Sequence, residues 1–104
     1  LIIDANGMQV EGHINQVQPD EPLADKWRAF RWRTHDIDGN SIPALQQTLR
    51  LARTTPGQPH CIIARTLVGK GAPSLEGILG HNLKLPADAA ARALEELDHL
   101  EALA

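Results

Sequence analysis

The chain has 104 residues, 42% of them hydrophobic, and a formal net charge of −3, enough for one small domain or a section of a larger one. Its mild acidity excludes a general nucleic-acid binder, which would carry a basic face, and its apolar runs are far too short to span a bilayer. The one cysteine, Cys61, excludes an internal disulfide. Its setting in "CIIA" marks it as a buried small hydrophobe, and a reducing, soluble, cytoplasmic environment is the default expectation.

The chain opens on Leu1 inside an apolar run with no turn or cap ahead of it, so upstream sequence is expected. Leu1 to Asp4 reads as the end of a buried strand, closed by Asp4-Ala5-Asn6-Gly7. Met8 to Pro19 is polar and turn-rich and reads as a loop. Asp20-Glu21-Pro22 carries helix-start signals, with acidic groups and a proline where the first turn tolerates them. Leu23, Trp27 and Phe30 then recur at helical spacing as a face expected to pack on a sheet. The cluster of Lys26, Arg28, Arg31 and Arg33 reads as a solvated face.

"RTHDIDG" reads as a second strand, punctuated by Gly39. Asn40 or Ser41 caps the next helix, whose apolar face is Ile42, Leu45, Leu49 and Ala52. Pro56 and Gly57 end it. "HCIIARTL" is the third strand, and its continuous apolar run suits a position buried on both faces of a parallel sheet. Residues 68–85 form a long irregular stretch, and loops of that length in small domains are usually functional. Pro86 to Ala104 reads as the last helix, with Leu94, Leu97, Leu100 and Leu103 as its stripe. Strands alternating with helices predict an α/β layer fold with parallel strands, whose ligands sit beyond the strands' carboxyl ends.

Asn6 lies at such an end. Its side-chain oxygen and the backbone carbonyl of Met8, brought round by a sharp turn at Gly7, would supply two neutral oxygens of the kind magnesium accepts beside a carboxylate and phosphate oxygens. Taken alone, Asn-Gly is first of all a turn former.

The segments "LIIDANGMQVEGH", "EPLADKWRAFRWRTHDIDGNSIPAL", "HCIIARTLVGKGAP" and "GHNLKLP" occur in this order over nearly the whole chain. Together they resemble the amino-terminal section of transketolase, specifically the carboxyl-terminal part of its thiamin-diphosphate-binding module. The likeness is strongest to enzymes whose two halves are separate chains. The resemblance implies a three-layer parallel-sheet thiamin-diphosphate-binding fold, of which residues 1–104 are a fragment, with residues 68–85 as an active-site loop. It also implies transfer of a two-carbon ketol unit from a ketose phosphate to an aldose phosphate, a transferase reaction of pentose phosphate and carbohydrate metabolism.

Thiamin diphosphate and Mg2+ are the implied cofactors. The family motif begins with Gly-Asp-Gly and ends about thirty residues later in Asn. Asn6 resembles that terminal Asn, with Met8 supplying a backbone carbonyl to the metal and Gly7 lying on the cofactor side. Gly-Asp-Gly does not occur here, so the resemblance places the first metal ligand before Leu1. His81 resembles the family's catalytic and diphosphate-side histidine, although "GHNLKLP" holds one residue more between His and Pro than the family's His-Gly-Lys-Ala-Pro. In Gly69-Lys70-Gly71, Lys70 is a phosphate-side residue by position, while Gly-Lys-Gly by itself is a weak signal. His13 reads as a loop residue near the site.

Asp36 and Asp38 share a strand face, and Asp38-Gly39 is expected to prepare the next helix, so a structural role is favoured for both. His35, His60 and His99 lack ligand-like spacing. The implied partners are sugar phosphates and a pyrimidine-binding carboxyl-terminal transketolase subunit or domain in a homo- or hetero-oligomer, so this section alone is expected to be inactive. Two alternatives stay open: another thiamin-diphosphate enzyme (deoxyxylulose phosphate synthase or a ketoacid dehydrogenase component), and a degenerate module that pairs with partners without chemistry. A Rossmann nucleotide-binding domain is weaker, because no Gly-x-Gly-x-x-Gly follows Asp4.

Overall fold

The computed structural model describes residues 1–77 and 85–102; Leu103, and the predicted end of the last helix with it, lies outside them. Three parallel strands form the main sheet: β1 (Ile2–Ala5), β4 (Arg33–Asp38) and β5 (His60–Arg65), in the order β1-β5-β4. The register runs from Ile2 opposite Ile62 to Ala5 opposite Arg65 on one side, and from Arg33 opposite His60 to Asp38 opposite Arg65 on the other. Between β1 and β4 lie β2 (Met8–Gln9), β3 (Gly12–His13), α1 (Ile14–Val17) and α2 (Leu23–Ala29); α3 (Ile42–Thr54) joins β4 to β5, and α4 (Ala87–Ala102) closes the chain.

Of the described strands, β5 is paired on both edges. Cys61 and Ile63 are fully buried, and Ile62 and Ala64 nearly so, as its unbroken apolar run requires of a strand covered on both faces. Burial pushes the Cys61 thiol above its ordinary pKa. The connection from β1 to β4 moves across the sheet one way and that from β4 to β5 moves back. With right-handed crossovers, such a reversal puts their helices on opposite faces and opens a crevice at the strands' carboxyl ends.

Several expectations change. Met8 to Pro19 is not a plain loop: β2 and β3 pair as a short antiparallel hairpin, followed by the single turn of α1. These elements are too short to show periodicity. β1 is half-exposed rather than buried: Ile2 and Asp4 on one face are exposed, and Ile3 and Ala5 on the other are partly covered. Phe30 is 72% exposed and not part of a face on the sheet. Trp27 instead packs edge-on against Trp32, ring centroids 5.0 Å apart. The helix end explains this contact: Arg31 takes a left-handed φ of 63°, its amide bonds Arg28 O, and the Trp32 amide bonds Trp27 O. That is a Schellman stop with its apolar contact, made with arginine where glycine is usual.

Ser41 caps α3 as expected, its hydroxyl accepting from the Ala44 amide at 3.3 Å. The covered face of α3 is Leu45, Thr48 and Ala52, whereas Ile42 and Leu49 are exposed. In α4 the leucines 94, 97 and 100 are exposed and Ala93 is the buried residue. Its inward side is small and polar, with Glu96 accepting from the Ser74 amide and hydroxyl at 3.0 and 2.9 Å. The domain measures 49 × 36 × 16 Å, with a radius of gyration of 16.6 Å against about 13 Å for a compact chain of this length. It is a thin slab with one buried strand as its core. No helix among the described residues is long and apolar enough to cross a membrane.

Asp38 and Gly39 do prepare α3. The Asp38 carboxylate accepts from the Asn40 amide at 2.9 Å. A Cβ on Gly39 would stand 2.6 Å from Thr66 Cγ2 and 2.8 Å from Ala64 Cβ. Gly39→Ala must therefore displace β5, and a loss of about 1–3 kcal/mol is expected, read from the denaturant midpoint.

At the sheet's opposite end, His35 Nε2 lies 3.0 Å from His60 Nδ1 and the rings stack. His60 Nε2 lies 3.0 Å from Thr55 O, an acceptor, so it carries the proton there. Burial first, then the charges of His60 and Arg33, hold His35 below its ordinary pKa of 6.5. The unfolded chain thus takes up this proton more readily than the folded one. The His35 contribution to stability is full above pH 6.5 and lost as pH falls from there through the folded pKa. In His35→Gln the thermal midpoint should fall less steeply over that range than in the parent.

Candidate functional site

The carboxyl end of β1 runs into a turn built by Asn6 and Gly7. The Asn6 side-chain oxygen accepts from the Met8 amide at 2.9 Å, and its Nδ2 donates to Asp4 Oδ2 at 3.2 Å. Gly7 adopts φ 73°, a left-handed conformation that costs glycine little, and its carbonyl receives the Ile14 amide at 2.9 Å. This folds the β2–β3 hairpin back over the tip of β1, where His13 caps α1 by accepting from the Asn15 amide through Nδ1.

A cavity of about 360 Å3 opens between these pieces. The β1 tip supplies Asp4 to Met8, the hairpin and α1 supply Gln9 and His13 to Asn15, and Asp20, Glu21 and Arg65 complete the wall. The sequence-predicted residues Asn6, Gly7 and Met8 are thus brought together on one wall, with His13 across from them. Lys70 is not among the lining residues. Its ammonium lies 3.3 Å from Glu76 Oε1, which also accepts from the Gly71 amide at 3.2 Å. The Gly71 amide first, and then Lys70, hold the Glu76 carboxyl below its ordinary pKa, so both groups contact an internal carboxylate. His81 lies outside the described residues.

Four charged wall residues were not singled out for the site by the sequence reading: Asp4, Asp20, Glu21 and Arg65. Arg65 is the first charged residue after the apolar run of β5, a position that marks the strand's carboxyl end. Its Nε and Nη2 make a two-pronged pair with Asp36 at 2.9 and 2.8 Å, and its Nη1 donates to Glu21. Glu21 also accepts from the Leu23 amide at 2.8 Å, so Arg65 ties β4 to the start of α2. The Arg65 hydrogen bonds are the leading reason that Asp36 and Glu21 ionise below their ordinary range. Thr66 donates to Asp4 Oδ1.

The charge balance decides what the cavity takes. Asp4, Asp20 and Glu21 face it against Arg65 alone, and Arg65 is already paired. A bare polyanion finds little attraction there. A hard divalent cation finds oxygens, including the Asn6 amide oxygen, which uses one of its two lone pairs on Met8. No three His, Cys, Asp or Glu side chains among the described residues are grouped to hold a metal.

The fold is a parallel α/β domain with a cavity beyond its strand ends. The chain belongs to the transketolase family: its residues 1–98 match the model of the transketolase thiamine diphosphate binding domain. It is 40% identical over 96 residues to the 6-deoxy-6-sulfo-D-fructose transketolase subunit SqwG of Clostridium sp. (strain MSTE9), covering 91% of this chain and 35% of that protein. To an apulose-4-phosphate transketolase subunit of Actinobacillus succinogenes it is 36% identical, covering 93% of this chain and 35% of that protein. The chain thus spans about a third of these relatives' length. Among solved structures, transketolase from Campylobacter jejuni superposes with a TM-score of 0.65 at 23% identity, over 98% of this chain and 20% of that one; at that identity the likeness is one of fold.

Replacing Arg65 with Met should let both Asp36 and Glu21 rise toward the ordinary carboxylate range, observable as upward-shifted carboxyl titrations by NMR. Unchanged titrations would remove Arg65 as the organiser of this wall.

Proposed function

We propose that this chain is the metal-and-diphosphate side of a transketolase that uses thiamin diphosphate and Mg2+ to move a two-carbon ketol unit from a ketose phosphate to an aldose phosphate. The observation that carries the reading is the Asn6 amide oxygen held beside Met8 on an acidic wall. On such a wall a diphosphate needs a bridging cation, and the residues present fit one. Asn6 Oδ1 and the Met8 carbonyl would hold the ion, Gly7 makes the turn between them possible, and further ligands would come from residues beyond these. When bound, thiamin diphosphate supplies the carbanion chemistry that breaks and forms the carbon–carbon bond.

This chain's own residues bind and orient. The β1 tip fixes the oxygens, Arg65 keeps its neighbouring carboxylates ionised, and the hairpin covers one side of the cavity. A pyrimidine-binding partner subunit completes the reading, supported by two relatives that are themselves named as transketolase subunits. The substrates would be sugar phosphates, and the setting a cytoplasmic oligomer of the pentose phosphate type.

The test is Asn6→Ala in the full enzyme assembly. The Mg2+ concentration for half-maximal ketol transfer should rise at least about 10-fold, the scale on which even outer-shell changes weaken metal sites, while the metal-free protein loses only the stability of the two Asn6 turn bonds. An assembly binding neither Mg2+ nor thiamin diphosphate would leave a module that pairs with partners without chemistry.

A further inference from the structure

We propose that Asp4 is a positioning residue: it fixes which end of the Asn6 amide faces the cavity, and Thr66 fixes Asp4. The inference rests on the reading of Asn6 as a metal ligand.

A carboxamide has an oxygen end that attracts a cation and an NH2 end that repels one, and the two are nearly equal in shape. An asparagine at a turn that is free to rotate by half a turn would offer either end. Here both ends are held by groups of opposite demand. Nδ2 donates to the Asp4 carboxylate at 3.2 Å and Oδ1 accepts from the Met8 amide at 2.9 Å. Reversing the amide would set oxygen against carboxylate and N–H against N–H, so two attractive contacts become two repulsive ones together. The oxygen therefore keeps its remaining lone pair on the cavity side.

Asp4 is held in turn. Thr66, just past the end of β5, donates to Asp4 Oδ1, leaving Oδ2 for Asn6. The parallel pairing of Ala5 with Arg65 sets the two strand ends level and brings Thr66 within reach. The chain of contacts thus runs from Thr66 through Asp4 to the Asn6 amide and ends at the Met8 amide, tying the orientation of a metal-facing oxygen to the central strand. Carboxylates that orient first ligands in this way affect metal affinity on the scale of about 10–100-fold.

The experiment titrates Mn2+, as a spin probe for the divalent site, into the complete assembly with thiamin diphosphate present, using electron paramagnetic resonance. Asp4→Ala should weaken Mn2+ about 10-fold. Asp4→Asn, which keeps an acceptor oxygen and loses the charge, should recover most of that affinity. In an Asn6→Ala background, Asp4→Ala should cost nothing further.

Equal losses in Asp4→Ala and Asp4→Asn, or the same loss with and without Asn6, would assign Asp4 to the electrostatic field or to direct ligation and overturn the inference. So would a loss on Asn6→Ala with none on Asp4→Ala, which leaves Asn6 as a ligand and removes Asp4 alone. No loss on Asn6→Ala would remove the ligand reading itself and this inference with it. Should Asp4→Ala fail to fold, Thr66→Val decides: a several-fold weaker site supports the relay, and an unchanged one overturns it.

Discussion

The fold hangs on β5. It is the described strand with hydrogen-bonded neighbours on both edges and cover on both faces, and four consecutive residues of it, Cys61 to Ala64, account for most of the buried apolar core. Among the described residues only Ala72 and Ala93 add buried apolar side chains outside it. Close packing at Gly39, where a methyl group would meet Ala64 and Thr66, shows how tightly the neighbouring turn is drawn against that strand. The same strand ends in Arg65 and Thr66, so the most constrained element also delivers two of the groups that organise the cavity.

The cavity's acidity is the second constraint. An anion-binding site in an α/β fold usually offers unpaired amides or cations. Here the one arginine among the described lining residues is paired with Asp36 and Glu21, and in the Gly-Lys-Gly turn the Gly71 amide and the Lys70 ammonium each contact Glu76. The described wall is acidic, and the family to which the chain belongs is one of thiamine diphosphate binding domains.

Legibility in the sequence followed the length of the pattern. The "CIIA" run declared a doubly buried strand, the helix start was placed at Asn40 or Ser41 with Ser41 the cap observed, and strand–helix alternation declared the parallel sheet. The reading of Asn6, Gly7 and Met8 as site residues came from a resemblance, because an Asn-Gly pair alone reads as a turn, and a turn is also what the backbone makes. The β2–β3 hairpin and α1 were hidden, since elements of two to four residues carry no period. The leucines of α4 misled for a different reason: a regular stripe shows that a helix has an apolar side, not which side its own domain covers. In α4 that covered side is alanine with Glu96, whose carboxylate is bound to Ser74. Arg65 and Glu21, 44 positions apart, meet only through the fold, and no local signal joins them.

Site and core are coupled through register rather than through proximity. In a parallel pair each residue's partner is set along the whole strand, so a slip anywhere moves every opposed pair and reverses the faces they present. Ile3 opposite Ile63 in the sheet and Ala5 opposite Arg65 at its end are one alignment. The apolar residues that bury β5 hold that alignment, and the alignment in turn puts Thr66 beside Asp4, and Asp4 beside Asn6. The orientation of a single amide at the strand tip is thus underwritten by the packing of side chains in the middle of the sheet. Polar contacts that are individually weak and exposed become specific because the strands that carry them cannot shift independently.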